Sequence, residues 1–526
     1  MRRTRTAAVK VAAGMAACLA LAACSTDAGV VAIRSERLAT ESTESAGETP
    51  PSTTDDTGSP SSTSPSSTTE APTPDTSEPP RPDLPTELVP VGDGAGDGLF
   101  PDLGNPGIDV VDYAVEITYD PLSDTVSGSV TLVIDVTDDR TEFTLDSAGP
   151  DIERVQVDGQ DATFEEDRVE LRITPAAAVD AGSRIEVTVE YSVATESVQS
   201  DIGLPNGWFN TTNGSYVLNE PDGARTWLPS NDHPSDKASW TFAITVPSGV
   251  TAVANGSLVS SQDSAAGTTW TWRQDEPMAT YLVMLITGDY ELVEGVGPAG
   301  LPLVSAVLRD DLEQMQPYLD TIDDQIAFFE EWFGPFPLAG YGIAITDSFG
   351  GLAMETQGRS LFSRDDFSGQ MGFLEELLLS HELSHQWFGD AVSPAQWSDI
   401  WLNESFASYA QWMWLEHVGL SELDQDAERA LAGRQDGMGS PTISPSVDEM
   451  FGFNSYEGGA VVLHALRRTV GDDAFFELLR RWAADNYGQS RFTADFLALA
   501  EEVSGDDLAA FFDDWLFADR LPSTFP

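Results

Sequence analysis

The sequence predicts an α+β chain of more than one domain, an antiparallel β domain followed by a mainly α-helical one. Apolar residues recur at every second position through the first part of the folded chain. They recur at helical spacing through the second. Both parts follow a long segment that cannot build a core. The length of 526 residues exceeds one ordinary domain, and 41 % hydrophobic content supports sizeable cores.

The N-terminus reads as an export signal over 1–23. Arg2, Arg3, Arg5 and Lys10 precede a short apolar run that ends in Leu21-Ala22-Ala23-Cys24. The run is too short for a typical transmembrane helix. The tetrapeptide resembles a bacterial lipobox, which implies acylation of Cys24 and a lipid anchor on the outer face of the cell membrane. An ordinary cleavable signal with a chance cysteine is the alternative. The only cysteines are Cys18 and Cys24, so the exported chain is expected to lack disulfides.

Residues 24–105 form the expected linker, rich in Ser, Thr, Pro and acidic residues, with too little apolar surface to offset chain entropy. Proline and like charge keep such a tether extended. The formal net charge of −61 sets the chain against nucleic acid and anionic membrane surfaces. It reads as a solvating charge, suited to a medium where salt screens it.

Residues 106–296 form the expected β domain. Val126, Gly128, Val130, Leu132, Ile134 and Val136 fall on every second residue, and Ile185, Val187, Val189 and Tyr191 alternate with polar neighbours. Period two means one buried and one wet face. Asp158-Gly159, Asn213-Gly214 and Asn255-Gly256 are hairpin-type turn signals. In the expected second domain, 297–526, the spacing predicts helices over 312–333, 373–388, 399–418, 458–470 and 473–484. Gly389, Gly419 and Gly471 lie just past helix ends.

The chemistry concentrates in two of these helices. His381-Glu382-Leu383-Ser384-His385 is an HExxH motif, and residues four apart share a helix face, so both imidazoles can reach one ion. Glu382 lies beside them as a candidate general base. A catalytic zinc takes three protein ligands and keeps one open position. After a gap of eighteen residues from His385, Glu404 can return on an antiparallel helix as the third ligand. A surface His-Glu cluster is the plain alternative. It is weakened by the apolar neighbours Leu377, Leu378, Leu379 and Trp387, since a buried helix does not carry such groups uncompensated.

HExxH, the eighteen-residue gap and Trp401-Leu402-Asn403-Glu404-Ser405-Phe406-Ala407 together resemble the zinc signature of the M1 gluzincin aminopeptidases. Gly351-Leu352-Ala353-Met354-Glu355-Thr356 resembles that family's exopeptidase motif, with Leu352 for a glycine and Thr356 for an asparagine. Tyr456-Glu457-Gly458 resembles the segment of its transition-state tyrosine, with Gly458 for a basic residue. Glu220-Pro221-Asp222-Gly223-Ala224-Arg225, then Asp232-His233-Pro234-Ser235-Asp236-Lys237-Ala238, resembles its N-terminal-domain signature, with Glu220 for a glutamine.

The resemblance covers about 106–520 and implies a thermolysin-like second domain without the further C-terminal domains of many members. It implies one zinc per chain on His381, His385 and Glu404, with Glu382 as base and Tyr456 as oxyanion donor. Gly351, Ala353, Met354, Glu355 and Glu220 would bind a peptide's free N-terminus. Plainer roles exist: Tyr456 as a core tyrosine, Glu355 as a loop carboxylate, Glu220 as a turn residue. Ser408, one turn beyond Glu404, is a candidate for orienting a ligand. His233, His417 and His464 are expected to be structural. A thermolysin-like endopeptidase and a non-catalytic peptide-binding lipoprotein are the alternative functions. An epoxide hydrolase is disfavoured, because in the family's epoxide-hydrolysing member the carboxylate-binding residues lie in a further domain.

Overall fold

The computed structural model describes residues 84–200, 203–347, 353–435 and 442–526. The stretch expected to be a signal, Cys24, most of the stretch expected to be a linker, and Gly351 lie outside the described residues. No helix among the described residues is long and apolar enough to cross a membrane.

The first domain is built on an eight-stranded sheet with strands Ile108–Asp120, Thr125–Val136, Arg184–Ala194 and Lys237–Val246 at its centre. The predicted alternation is its buried face: Val126, Val130, Leu132, Ile134, Ile185, Val187, Val189 and Tyr191 are all buried. Gly128 occupies a place where a Cβ would lie 2.0 Å from the Glu116 carbonyl oxygen, so the neighbouring strand approaches too closely for any side chain. The sheet is antiparallel except at one pair. Ile108–Asp120 and Lys237–Val246 run parallel, because the chain returns to the first strand only after crossing smaller sheets.

Two of the three turn signals close hairpins. Asp158-Gly159, both at positive φ, joins Asp151–Val157 to Gln160–Asp161, and Asn213-Gly214 ends the loop joining Pro205–Asn210 to Gly214–Leu218. Asn255-Gly256 instead passes the chain from a five-stranded sheet to the eight-stranded one. Asn255 is buried there. Its amide donates to the Leu282 and Gln357 carbonyls and its oxygen accepts from Met284 N–H, so its role is tertiary.

The expected domain limits move at both ends. Folded chain begins before 106: Asp97, Phe100, Leu103 and Asn105 are buried. Asp97 accepts from Trp397 N–H in the second domain at 2.7 Å and bonds His233 at 3.2 Å. This stretch is polar enough to read as linker, yet its few apolar side chains fill a seam. At the other limit, Tyr290–Val296 pairs with Pro302–Leu308 and joins the second domain's five-stranded sheet.

The second domain carries helices α1 (Leu312–Leu319), α2 (Ile322–Phe333), α3 (Phe373–Ser384), α4 (Trp401–His417), α5 (Leu423–Gln435), α6 (Gly459–Val470), α7 (Asp472–Asp485), α8 (Thr493–Ser504) and α9 (Ala509–Phe512). The helix expected over 312–333 is two helices, the first weakened by Pro317, which has no N–H to donate. The helix expected over 373–388 ends at Ser384 and opens into a wide turn, Gln386–Asp390, because Phe388 and Gly389 leave helical geometry. Nearly every residue of α3 and α4 is buried, as expected of helices that are apolar around their girth. They pack on each other, and Ala353–Met354 forms the edge strand beside them.

The early start of the fold is testable by truncation. A chain beginning at residue 84 should melt as the full chain does. One beginning at residue 106 loses buried Phe100 and Leu103, each worth about 1.5–3 kcal/mol, and the Asp97 link. Its melting temperature should drop by several degrees in a thermal scan.

Candidate active site

The cleft between the domains is walled by Leu218 and Glu220 of the first domain, Glu355, α3, and Tyr456. α3 presents His381 and Glu382 from its last turn, and His385 follows directly at its C-cap. α4 runs back alongside and places Glu404 in its first turn. Glu404 Oε2 lies 3.2 Å from His381 Nε2 and 3.5 Å from His385 Nε2. The donor atoms of these three side chains all fall within 4.8 Å of one another, and all three are buried.

Each imidazole is aimed from behind. His385 Nδ1 lies 3.0 Å from the Phe388 carbonyl oxygen. A carbonyl only accepts, so Nδ1 carries the proton and Nε2 faces the cleft with its lone pair. His381 Nδ1 lies 2.9 Å from Gln411 Oε1. Gln411 fills the role considered for Ser408, which is buried and makes no hydrogen bond to His381, His385 or Glu404 among the described residues. Gln411 lies seven positions after Glu404, two helical turns on, so both lie on one face of α4. That spacing was the available signal for Gln411.

Four carboxylates share this cleft. Glu355, Glu382 and His385 offer a second group of donor atoms within 4.8 Å, and Glu220, Glu355 and Glu404 a third. Burial pushes Glu382 and Glu220 well above the ordinary carboxylate range and raises Glu355 as well. Glu355 further raises Glu220. Against its own burial, Glu404 is held down to about 2 by the imidazoles of His385 and His381. One oxygen each of Glu220 and Glu355 is buried without a hydrogen-bond partner. Such groups are costly unless a cation meets them.

The structure thus brings together the predicted ligands, Glu382, Glu220, Ala353, Met354, Glu355 and Tyr456. The Tyr456 ring lies parallel to that of His381 at 6.0 Å, carried by a wide turn, Asn454–Gly458, that opens into α6. Gln386 was not singled out from sequence. Its amide donates to the Glu355 carbonyl at 3.1 Å and its oxygen accepts from Gly358 N–H at 2.7 Å, tying the Glu355 segment to the turn after His385. Two imidazoles, one carboxylate and an open cleft side fit a catalytic zinc, which takes three protein ligands and leaves one position open.

Comparison with known proteins agrees. Residues 110–282 match the Peptidase M1 N-terminal domain and residues 318–515 the Peptidase family M1 domain. A leucyl aminopeptidase of Saccharolobus solfataricus is 25 % identical over 74 % of this chain and 51 % of its own length. An aminopeptidase N of Haemonchus contortus is 29 % identical over 55 % of this chain and 32 % of its own. The chain therefore spans about half or less of these two relatives. The crystal structure of an M1 zinc metallopeptidase from Deinococcus radiodurans is 30 % identical, with TM-score 0.71, over 82 % of this chain and 99 % of that one. A mutant form of that metallopeptidase, bound to a Tyr-Ser-Ala substrate, superposes with TM-score 0.71 at 29 % identity. With both domains matched in order, and nearly the full length of a 30 % identical structure covered, this chain belongs to peptidase family M1, a family of zinc metallopeptidases.

Proposed function

We propose that the chain is a zinc aminopeptidase that hydrolyses the first peptide bond of substrates with a free N-terminus. One observation carries the exopeptidase reading. Glu220 and Glu355, each with a buried unpartnered oxygen, stand with donor atoms within 4.8 Å of Glu404. Two carboxylates one residue's length from the metal ligands suit an α-ammonium. An internal peptide segment would leave them unpaired. This disfavours the endopeptidase reading.

His381, His385 and Glu404 would hold zinc, which supplies a Lewis acid for the scissile carbonyl and the attacking water when bound. Glu382 takes the water's proton and passes it to the leaving amine. Tyr456 donates its hydroxyl hydrogen to the oxygen that gains charge. Ala353 and Met354, on the edge strand, lie alongside the substrate backbone. We further propose that the chain is exported and anchored through an acylated Cys24 to the outer face of the membrane. The lipobox-like run that ends in Cys24 supports this, and the polar linker gives the reach.

Four outcomes test these readings. Glu382→Gln should keep one zinc per chain by metal analysis and lose turnover by about 100-fold or more. Tyr456→Phe should lower kcat by about 100-fold with KM nearly unchanged; an unchanged kcat would return Tyr456 to a packing role. N-acetylated peptides should resist cleavage, and Glu355→Ala should raise KM and lower kcat. Internal cleavage of blocked peptides would promote the endopeptidase. Mass spectrometry of the exported chain should find acylated Cys24 as its first residue, and Cys24→Ser should abolish the modification.

A further inference from the structure

We infer that the N-terminal β domain positions the metal site, with Tyr281 and Lys237 acting as positioning residues for His385 and Glu404. Neither residue reaches the cleft lining, and neither has a part in the hydrolysis. Both reach across the domain seam to the same short piece of backbone.

That piece is the turn after α3. Gly389 sits at φ 131°, a conformation that side-chain-bearing residues rarely adopt. A Cβ there would lie 3.3 Å from both His385 Nδ1 and Asn403 Cγ, so the turn is pressed against the imidazole and against the neighbour of Glu404. The turn also supplies the Phe388 carbonyl that accepts the His385 Nδ1 proton at 3.0 Å. Within the second domain the turn is held by Asp390 N–H on the His385 carbonyl at 3.0 Å, Ala391 N–H on the Gln386 carbonyl at 3.1 Å and the Ser393 hydroxyl on the Gly389 carbonyl at 2.6 Å; none of these three meets the Phe388 carbonyl.

The first domain adds contacts to the same turn from across the seam. The Tyr281 hydroxyl donates to the Gly389 carbonyl at 3.1 Å and accepts from the Asn403 amide at 3.2 Å. It therefore bridges the turn that aims His385 and the helix that carries Glu404. The Tyr281 ring is locked edge-on against Trp397 at 5.2 Å. Lys237, the first residue of its strand, donates from Nζ to the Asp390 carbonyl at 2.6 Å and the Ala391 carbonyl at 3.3 Å.

The Lys237 contact is costly, which argues that it has a purpose. Burial pushes the ammonium down to about 7, and the Asp390 carboxylate only partly offsets this. A charge-assisted bond to a carbonyl is stronger than a neutral one and holds its acceptor in one place. Partners behind a ligand typically contribute about 10- to 100-fold to metal affinity.

The experiment uses the full chain and rests only on the zinc-site assignment, not on the substrate reading. Zinc affinity is measured by chelator competition, and ligand geometry by the visible spectrum of the cobalt-substituted protein. Tyr281→Phe removes one hydroxyl and keeps the ring. It should lower zinc affinity about 10-fold or more and shift the cobalt spectrum, with little change in the melting of the metal-free protein. Lys237→Met should do the same. Trp240→Phe, deep in the first domain's core, is the control: it should lower stability without moving zinc affinity or spectrum. If Lys237→Met does not fold, Tyr281→Phe alone decides. Parental zinc affinity and an unshifted cobalt spectrum in the folded variants would overturn the inference and leave these contacts as a simple domain pin. A parent without aminopeptidase turnover, whose variants still lose zinc affinity, would sink the proposed function and leave this inference standing.

Discussion

The constraint on which the rest depends is negative charge held out of water. Glu220, Glu355, Glu382 and Glu404 share one cleft with donor atoms a few ångströms apart. Two like charges 4 Å apart repel by about 4 kcal/mol at an effective dielectric constant near 20. Four carboxylates are stable together only where imidazoles, protons or cations answer them. The two histidines answer Glu404. A divalent ion on the three ligands, and an ammonium between Glu220 and Glu355, would answer the rest in the proposed reading. Affinity for metal and substrate is in that sense the counterpart of a locally unfavourable arrangement.

Such an arrangement survives only in a rigid surround, and the fold supplies it from both domains. α3 and α4 are buried almost throughout, so neither can rotate to carry its charged groups into solvent. The first domain's apolar core runs on into Trp397, Ile400 and Met450 of the second. The seam is crossed by polar contacts as well: Asp97 to Trp397, Asn255 to Gln357, Tyr281 to Gly389 and Asn403, Lys237 to Asp390. A site built from two domains depends on such contacts, since a small shift at the seam would separate Glu220 from Glu355.

Much of the site was legible because its spacing is local. His381, Glu382 and His385 lie within five residues on one helical turn, and a single helix face follows from 3.6 residues per turn. Glu404 was legible as a helix return after a fixed gap. Strand alternation in the first domain was equally plain, since period two follows from backbone geometry alone. Tyr281 and Gln386 left no such mark, and Lys237 stood only within a signature-like segment that gave it no role. Each acts on the carbonyl or amide of a residue remote in the chain, and a carbonyl contact puts no demand on the identity of the residue it meets. The tether-like stretch before 106 misled for a related reason. Its composition is polar, and only the packed seam shows where Phe100 and Leu103 go.

The amino-acid sequence alone determined which elements form, in which order, and which side chains carry the chemistry. These depend on short-range periodicity, helix and turn propensity, and ligand spacing. The tertiary structure alone decided that Asn255-Gly256 joins two sheets, that the metal-binding helix ends at Ser384, that Gln411 and not Ser408 meets His381, and that Glu220 faces Glu355 across the seam. These features arise where two surfaces distant in sequence meet. There the available space and the demand that buried polar groups find partners select the contact, and no local pattern records that choice.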